Sequence, residues 1–115
     1  MEQLFDYISK RIELTTEIKD FTKSISTIKK LKKGDVLIAI STSGNSENII
    51  QAIKQANKSG ISVISLTGET GGKMKDNSDI LLNIPSNLTQ RVQELHIVIG
   101  HIICEYVENK LFGKA

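Results

Sequence analysis

Several features that mark particular classes of protein are scarce or missing in this chain. Tryptophan is absent and only three phenylalanines and two tyrosines occur, so stacking of bases or sugars on aromatic side chains is not indicated. The single cysteine, Cys104, excludes a disulfide within the chain and fits a reducing compartment. No apolar run approaches the roughly 20 residues of a membrane span, and the first residues lack the basic and apolar regions of a secretory signal. We therefore expect a cytoplasmic protein.

Length and charge set further limits on what the chain does. Its 115 residues are the size of one small domain, and a hydrophobic fraction of 39% is ordinary for a globular protein. The net charge of +2 is too small to indicate a nucleic-acid or membrane partner. Four lysines between positions 29 and 33 form the one dense basic run, which we interpret as the solvated end of a helix.

Hydrophobic periodicity predicts alternating helices and strands. Apolar residues recur at helical spacing over 2–19 and again from Ile25 to Leu31, which predicts two helices. Gly34 then interrupts the pattern. Three short apolar runs indicate strands, and stretches of helical spacing lie between and after them. The predicted strands are 36–40, 61–66 and 80–84, the predicted later helices are 46–59 and 89–111, and 67–79 is predicted as a loop.

This order of elements predicts an α/β fold of the flavodoxin-like or Rossmann-like kind. It has three layers, in which a mainly parallel sheet carries helices on both faces. The unbroken apolarity of the first strand favours a strand that is covered on both faces. We expect one domain over 1–115, with a helical segment at 1–33 and an α/β core with a C-terminal helix at 34–115.

The segment 41–46, Ser-Thr-Ser-Gly-Asn-Ser, stands where the first predicted strand ends and a helix begins. Ligands of open parallel sheets bind at this edge, and a helix N-terminus offers unpaired N–H groups and partial positive charge to an anion such as phosphate. Gly44 lets the backbone approach a ligand closely. The alternative is a capped helix, with Ser43 or Asn45 as the cap and Glu47 as a first-turn carboxylate. A cap explains one residue, whereas four hydroxyls and a glycine favour phosphate binding.

Beyond this turn, the sequence resembles a known family. "STSGNS" after an apolar strand resembles the sugar-phosphate-binding turn of SIS (sugar isomerase) domains. Two longer stretches are similar to the second half of bacterial phosphoheptose (sedoheptulose 7-phosphate) isomerases: "GDVLIAISTSGNSENIIQAIKQANKSGISVISLTGETGGKMKDNSDILLNIPS" and "TQRVQELHIVIGHIICEYVENKLF". The resemblance covers about Phe21 to Phe112, and "TGETGGKM" and "RVQELH" are its more specific parts.

The resemblance implies roles for particular residues. It assigns the substrate phosphate and its neighbouring oxygens to the hydroxyl residues of the turn: Ser41, Thr42, Ser43 and Ser46. It further implies that Gln93 contacts the substrate or a metal and that His101 is the catalytic histidine. In some family members these two positions are zinc ligands, so zinc is the one cofactor that the resemblance suggests.

The front of the family pattern is missing. Family members begin with a helical segment, a first strand, a "GNGGS" turn and a helix with a His and a Glu, and that Glu is the partner base of the catalytic histidine. Residues 1–20 match none of this, so the chain looks like a truncated SIS domain that keeps three neighbouring strands of five. Aldose–ketose isomerisation needs a base and an acid. His101 can supply one of them, whereas neither Glu94 nor Glu105 is an obvious second group.

Two functions follow from the resemblance. In the first, the chain binds a sugar phosphate and isomerises sedoheptulose 7-phosphate to heptose 7-phosphate, as in heptose biosynthesis for lipopolysaccharide, with the missing half supplied by another chain or a longer gene product. In the alternative, it is a non-catalytic SIS module that senses a phosphosugar or mediates assembly, as do relatives that bind a replication initiator. Family members are dimers or tetramers, so the resemblance also implies a homo-oligomer.

The last predicted helix is apolar around much of its circumference. This predicts burial on more than one side, within the chain or at a subunit contact. A histidine in such a surface is usually a hydrogen-bonded core residue, which is our interpretation of His96, and Cys104 is predicted to be a small buried hydrophobe. Gln93 and His101 are about 12 Å apart along the helix at ~1.5 Å per residue, so sharing one ion within a chain would stretch both side chains.

Overall fold

The structure is a computed structural model that describes residues 21–113. The predicted helix at 2–19 lies outside the described residues. In chain order the elements are α1 (Phe21–Lys29), β1 (Val36–Ile40), α2 (Glu47–Lys58), β2 (Ser62–Thr67), a 3₁₀ helix (Gly72–Asn77), β3 (Ile80–Asn83) and α3 (Thr89–Phe112). None of the described helices is long and apolar enough to cross a membrane.

The three described strands form one parallel sheet in the order β1-β2-β3. Leu37 lies opposite Val63 in the first pair of strands, and Leu66 lies opposite Leu82 in the second. Strands that run in the same direction with a helix in the connection are the basis of a layered α/β fold. The predicted fold class, an α/β fold with a parallel sheet and helices, is confirmed.

The main core lies between the sheet and α1 and α2. Successive side chains of a strand point to opposite faces, so Leu37, Ala39 and Val63 share one face, where all three are buried. The helical and loop residues of this core are Ile28, Ile49, Ile50, Ala52, Ile53, Ala56, Ile61 and Met74. On the opposite face of β2, Leu66 is also buried, so both faces of the central strand are covered.

The sequence-based boundaries are close to those observed, with one correction. The segment 67–79, predicted as a loop, contains the 3₁₀ helix. Met74 lies within it and is fully buried, which anchors the helix to the core. A helix of only six residues is too short to show a repeating apolar pattern, so periodicity misses it. After α2, Gly60 takes a positive φ of 74°, which is typical of a glycine at the end of a helix.

Two expectations about burial are wrong within this chain. Strand β1 is not covered on both faces to the same degree, because Ile38 is only half-buried while its neighbours Leu37 and Ala39 are buried. Helix α3 is not buried on several sides either. Its buried residues are Val92, His96, Cys104 and Glu108, whereas much of its apolar surface is exposed. The alternative that this surface forms a subunit contact stays a prediction.

Candidate functional site

The segment 41–46, hereafter the serine turn, connects the carboxyl end of β1 to the start of α2. The N–H of Ser41 donates to the carbonyl of Leu66, 3.0 Å away, which continues the sheet pairing one residue beyond β1. Ser41 is also buried. The turn therefore begins at a residue that is hydrogen-bonded to the edge of the sheet. This is the edge at which open parallel sheets bind ligands.

Three serine hydroxyls form a network inside the turn. Ser41 Oγ lies 2.8 Å from Ser46 Oγ and 3.4 Å from Ser43 Oγ, and it accepts the N–H of Gly44 at 3.2 Å. Each hydroxyl has one proton to donate. Because the two O···O contacts use at most two of the three protons, at least one hydroxyl can donate outward to a ligand. Thr42 adds a fourth hydroxyl to the turn.

Capping of α2 does not account for these side chains. The N-cap residue is Ser46, and its side chain makes no hydrogen bond to the backbone of the first turn. The two residues predicted as alternative caps have other partners: Ser43 Oγ accepts the N–H of Asn45 at 3.1 Å, and Asn45 Oδ1 accepts the N–H of Lys73 at 2.9 Å. The capping interpretation is wrong for both. The positive end of the α2 dipole therefore faces the serine turn without a side-chain cap.

A second loop forms the wall of the turn. The N–H of Gly68, the first residue after β2, donates to the carbonyl of Thr42 at 2.9 Å. Further on, Gly71 and Gly72 lie directly against Gly44: a Cβ on Gly72 would lie 2.6 Å from the Gly44 carbonyl oxygen, and one on Gly44 would overlap Gly71 O. The two loops thus touch backbone to backbone. The paired glycines of "TGETGGKM" were the signal for this contact, which sequence reasoning did not interpret.

The first turns of α3 pack against the end of β2, next to this wall. His96 is buried, and its Nε2–H donates to the carbonyl of Thr67 at 2.9 Å. Its Nδ1 finds no hydrogen-bond partner in the part of the chain that the structure describes. Val92 is also buried and lies 3.7 Å from the point where a Cβ of Gly68 would be. The structure agrees with the interpretation of His96 as a structural residue.

Gln93 and His101 are both exposed on α3. Gln93 follows Val92 and so lies near the carboxyl edge of the sheet. His101 is eight residues further on, which is about 12 Å along the helix and about 80° around it at 3.6 residues per turn. The helix therefore does not bring the two side chains together. His101 is not a core histidine, in contrast to the general expectation for this surface.

The described residues of one chain do not fit a zinc site. Among positions 21–113, no group of three or more His, Cys, Asp or Glu side chains is placed to hold a metal ion. Catalytic zinc needs at least three protein ligands, and Gln93 and His101 would supply two that are far apart. Cys104 is buried, and desolvation raises the pKa of its thiol, which favours the neutral form.

Fold and site together define a layered α/β protein with a hydroxyl-rich, uncharged turn at the carboxyl edge of a parallel sheet. Comparison with known proteins gives the family. The profile of the family described as SIS domain matches residues 5–68, more than half of the chain. The match begins ahead of Phe21, where the resemblance read from the sequence starts. The chain belongs to the SIS domain family.

Curated relatives are phosphoheptose isomerases. The chain is 57% identical over 83 residues to the phosphoheptose isomerase of Clostridium acetobutylicum, a match that covers 72% of this chain and 42% of that protein. It is 51% identical over 82 residues to the enzyme of Leptospira biflexa, covering 71% and 42% of the two chains. The chain thus spans less than half the length of these relatives, and the resemblance read from the sequence is confirmed.

Solved structures agree with the fold. The phosphoheptose isomerase of Neisseria gonorrhoeae matches with a TM-score of 0.70 and 42% identity, over 76% of this chain and 50% of that one. The enzyme of Francisella tularensis matches with a TM-score of 0.70 and 35% identity, over 74% and 47%. The parallel three-stranded sheet and its helices are therefore those of an SIS-type fold.

The contact between the two glycine loops generates a stability prediction. Gly44→Ala should lower the free energy of unfolding by about 2–5 kcal/mol, because it combines the cost of a left-handed residue with overpacking against Gly71. Gly60→Ala is the matched control: its φ of +74° is close to the +69° of Gly44, but nothing lies within 4 Å of its Cβ. It should cost only about 1–2 kcal/mol. Urea unfolding followed by circular dichroism measures both, and equal losses would contradict the contact.

Proposed function

We propose that this chain binds a sugar phosphate at the serine turn and forms part of a phosphoheptose isomerase-like protein. The observation that carries the proposal is the network of hydroxyls at an α2 N-terminus that has no side-chain cap. Relatives at 51–57% identity named phosphoheptose isomerase support the substrate class. The substrate under this proposal is sedoheptulose 7-phosphate, and the product is heptose 7-phosphate.

In this proposal the phosphate lies over the serine turn. At least one serine proton is left to donate outward, and Thr42 can donate as well. The helix dipole of α2 places about half a positive charge at the same place. Gly44, which has no side chain, lets the ligand oxygens come close to the backbone. The proposed phosphate ligands are the four hydroxyl residues Ser41, Thr42, Ser43 and Ser46.

Isomerisation requires one proton transfer between two carbons. A base removes a proton from C1 of the ketose to give an enediol, and the proton is returned at C2, while the hydroxyl proton of O1 is lost and O2 gains one. We assign one of these transfers to His101 and substrate contact to Gln93. Glu94 is engaged with Arg91 at 2.9 Å. We propose that the partner of His101 in proton transfer comes from another chain or from a longer product.

We further propose that α3 packs against another subunit of a homo-oligomer. Its exposed apolar residues are Leu95, Ile97, Val98, Ile102, Tyr106, Leu111 and Phe112, each 44–65% exposed. Single apolar side chains are common on protein surfaces, but a contiguous set along one helix is typical of an interface. No nucleic-acid or membrane partner is part of this proposal, and the proposed location is the cytoplasm.

A non-catalytic module is the second candidate. It is favoured by one observation: the chain spans only 42% of the length of the phosphoheptose isomerase of Clostridium acetobutylicum. In that case the chain senses a phosphosugar or assembles with other SIS chains without turnover.

Binding should depend on the serine hydroxyls. Ser43→Ala and Ser46→Ala should each weaken binding of sedoheptulose 7-phosphate roughly tenfold to a hundredfold, because a hydrogen bond to a charged group is worth about 1.5–3 kcal/mol. Isothermal titration calorimetry measures the affinity. Ser59→Ala, at the other end of α2, is the control and should leave it unchanged. If the two changes reduce stability and not affinity, the turn has only a structural role.

Turnover tests whether the chain alone carries a complete catalytic site. The pure chain should gain thermal stability from sedoheptulose 7-phosphate without converting it, because it spans only 42% of the length of a relative that carries the isomerase name. Formation of heptose 7-phosphate is followed by chromatography. Conversion by the wild type and its loss in His101→Ala would instead show a complete site. His101→Ala should leave the sugar-phosphate affinity as it is in either case.

The assembly prediction concerns mass in solution. Light scattering at micromolar concentration should give at least a dimer, and Ile102→Lys should lower the mass, because a lysine in an apolar contact loses hydration. Lys54→Gln on α2 is the control and should not change the mass. A monomeric wild type would remove the proposed contact.

A further inference from the structure

The serine turn lacks a positive side chain. None of its six residues is charged, and the next residue, Glu47, is a carboxylate in the first turn of α2. Gln51 Nε2 donates to Glu47 Oε1 at 2.7 Å and keeps it there. A phosphate over the turn would therefore meet neutral donors, a helix end and a nearby negative charge. Anions are bound more strongly where a charged donor is present, so a cation from another element would complete the site.

Lys73 is a cationic residue whose backbone is hydrogen-bonded to the serine turn. Its N–H donates to Asn45 Oδ1 at 2.9 Å, across 28 positions of sequence. On either side of it the contact continues: Gly72 lies against the backbone of Gly44, and the N–H of Met74 donates to the Gly44 carbonyl at 3.1 Å. Three consecutive residues, 72–74, thus contact the serine turn, and Lys73 is the one among them that carries a charge.

The side chain of Lys73 is available for a ligand. It is exposed, and it makes no ion pair within the part of the chain that the structure describes. Its neighbour Met74 is fully buried, so the backbone at this position is anchored while the flexible four-carbon stem of the lysine is in solvent. We propose that Lys73 supplies the positive charge of the sugar-phosphate site and that the Asn45 side chain is the positioning group that holds it there. This inference rests on the proposed binding function of the serine turn.

The test is a titration with inorganic phosphate and with sedoheptulose 7-phosphate. Lys73→Gln should weaken both affinities roughly tenfold, in line with the loss of a charge-assisted hydrogen bond. Lys73→Arg should restore most of the affinity. The control is Lys58→Gln, which removes the same charge at the far end of α2, about 16 Å along the helix and beyond the ~8–10 Å over which surface charges act at physiological salt.

Salt dependence separates an electrostatic role from a structural one. Raising ionic strength should weaken phosphate binding by the wild type and by Lys58→Gln, and should weaken it less in Lys73→Gln, because the screened charge is already gone. Circular dichroism and thermal unfolding should be the same for all three proteins, since the Lys73 side chain is exposed.

A double-mutant cycle tests the positioning role of Asn45. Asn45→Ala alone should weaken phosphate binding. Combined with Lys73→Gln, it should reduce the binding free energy by less than the sum of the two single changes, because one removes the Lys73 charge and the other removes the group that positions it. Additive losses would overturn the positioning role.

The outcomes distinguish this inference from the function on which it rests. If the wild type binds neither phosphate nor the sugar phosphate, both are overturned. If the wild type binds and Lys73→Gln binds equally well, the serine turn stands as a binding site and the assignment of Lys73 is wrong. Weaker binding by Lys73→Gln, with recovery in Lys73→Arg and no change in Lys58→Gln, supports it.

Discussion

The backbone contact between two glycine-containing loops determines the form of the site. Gly44 from the turn after β1 and Gly71–Gly72 from the loop after β2 lie so close that neither loop has room for a Cβ on that side. Gly44 and Gly71 also have positive φ, which side chains disfavour. With both loops joined, the hydrogen bonds from Gly68 to Thr42 and from Met74 to Gly44 can form. The hydroxyls of the serine turn are thereby held on a rigid base, and such preorganisation lowers the entropic cost of binding.

Under the proposed function, this base supports binding more completely than it supports chemistry. The serine turn is six consecutive residues after β1, and the loop after the adjacent strand β2 packs against it, so one piece of the fold assembles it. Proton transfer needs two groups at the reacting carbons, and the catalytic candidate His101 lies on a different element, α3. The chain spans 42% of relatives that carry the isomerase name. Recognition and catalysis therefore differ in how much of the fold they need.

Sequence reasoning succeeded where the signal was local. Each strand is a short apolar run, the long helix is a long periodic stretch, and the family resemblance lies in contiguous motifs. It failed where a residue's partner is distant: the link between Asn45 and Lys73 spans 28 positions, and the serine and asparagine predicted as caps have other partners. Periodicity shows that α3 is apolar but not what covers it, so the exposure of Leu95 and Ile102 could not be predicted. The contact of the paired glycines with Gly44 is also a tertiary property.

If α3 packs against another subunit as proposed, its exposed surface connects assembly to the proposed chemistry of His101. In water, an exposed imidazole interacts weakly with nearby charges, because the solvent screens them. Ile97, Val98 and Ile102 surround His101 in sequence and are 49–61% exposed, so a subunit that covers them would also displace water around the histidine. Interactions between His101, a partner base and the substrate would then act at a lower dielectric, where each is stronger. The apolar residues around His101 therefore suit the proposed catalytic role better if α3 is covered by another subunit than if the chain is a monomer.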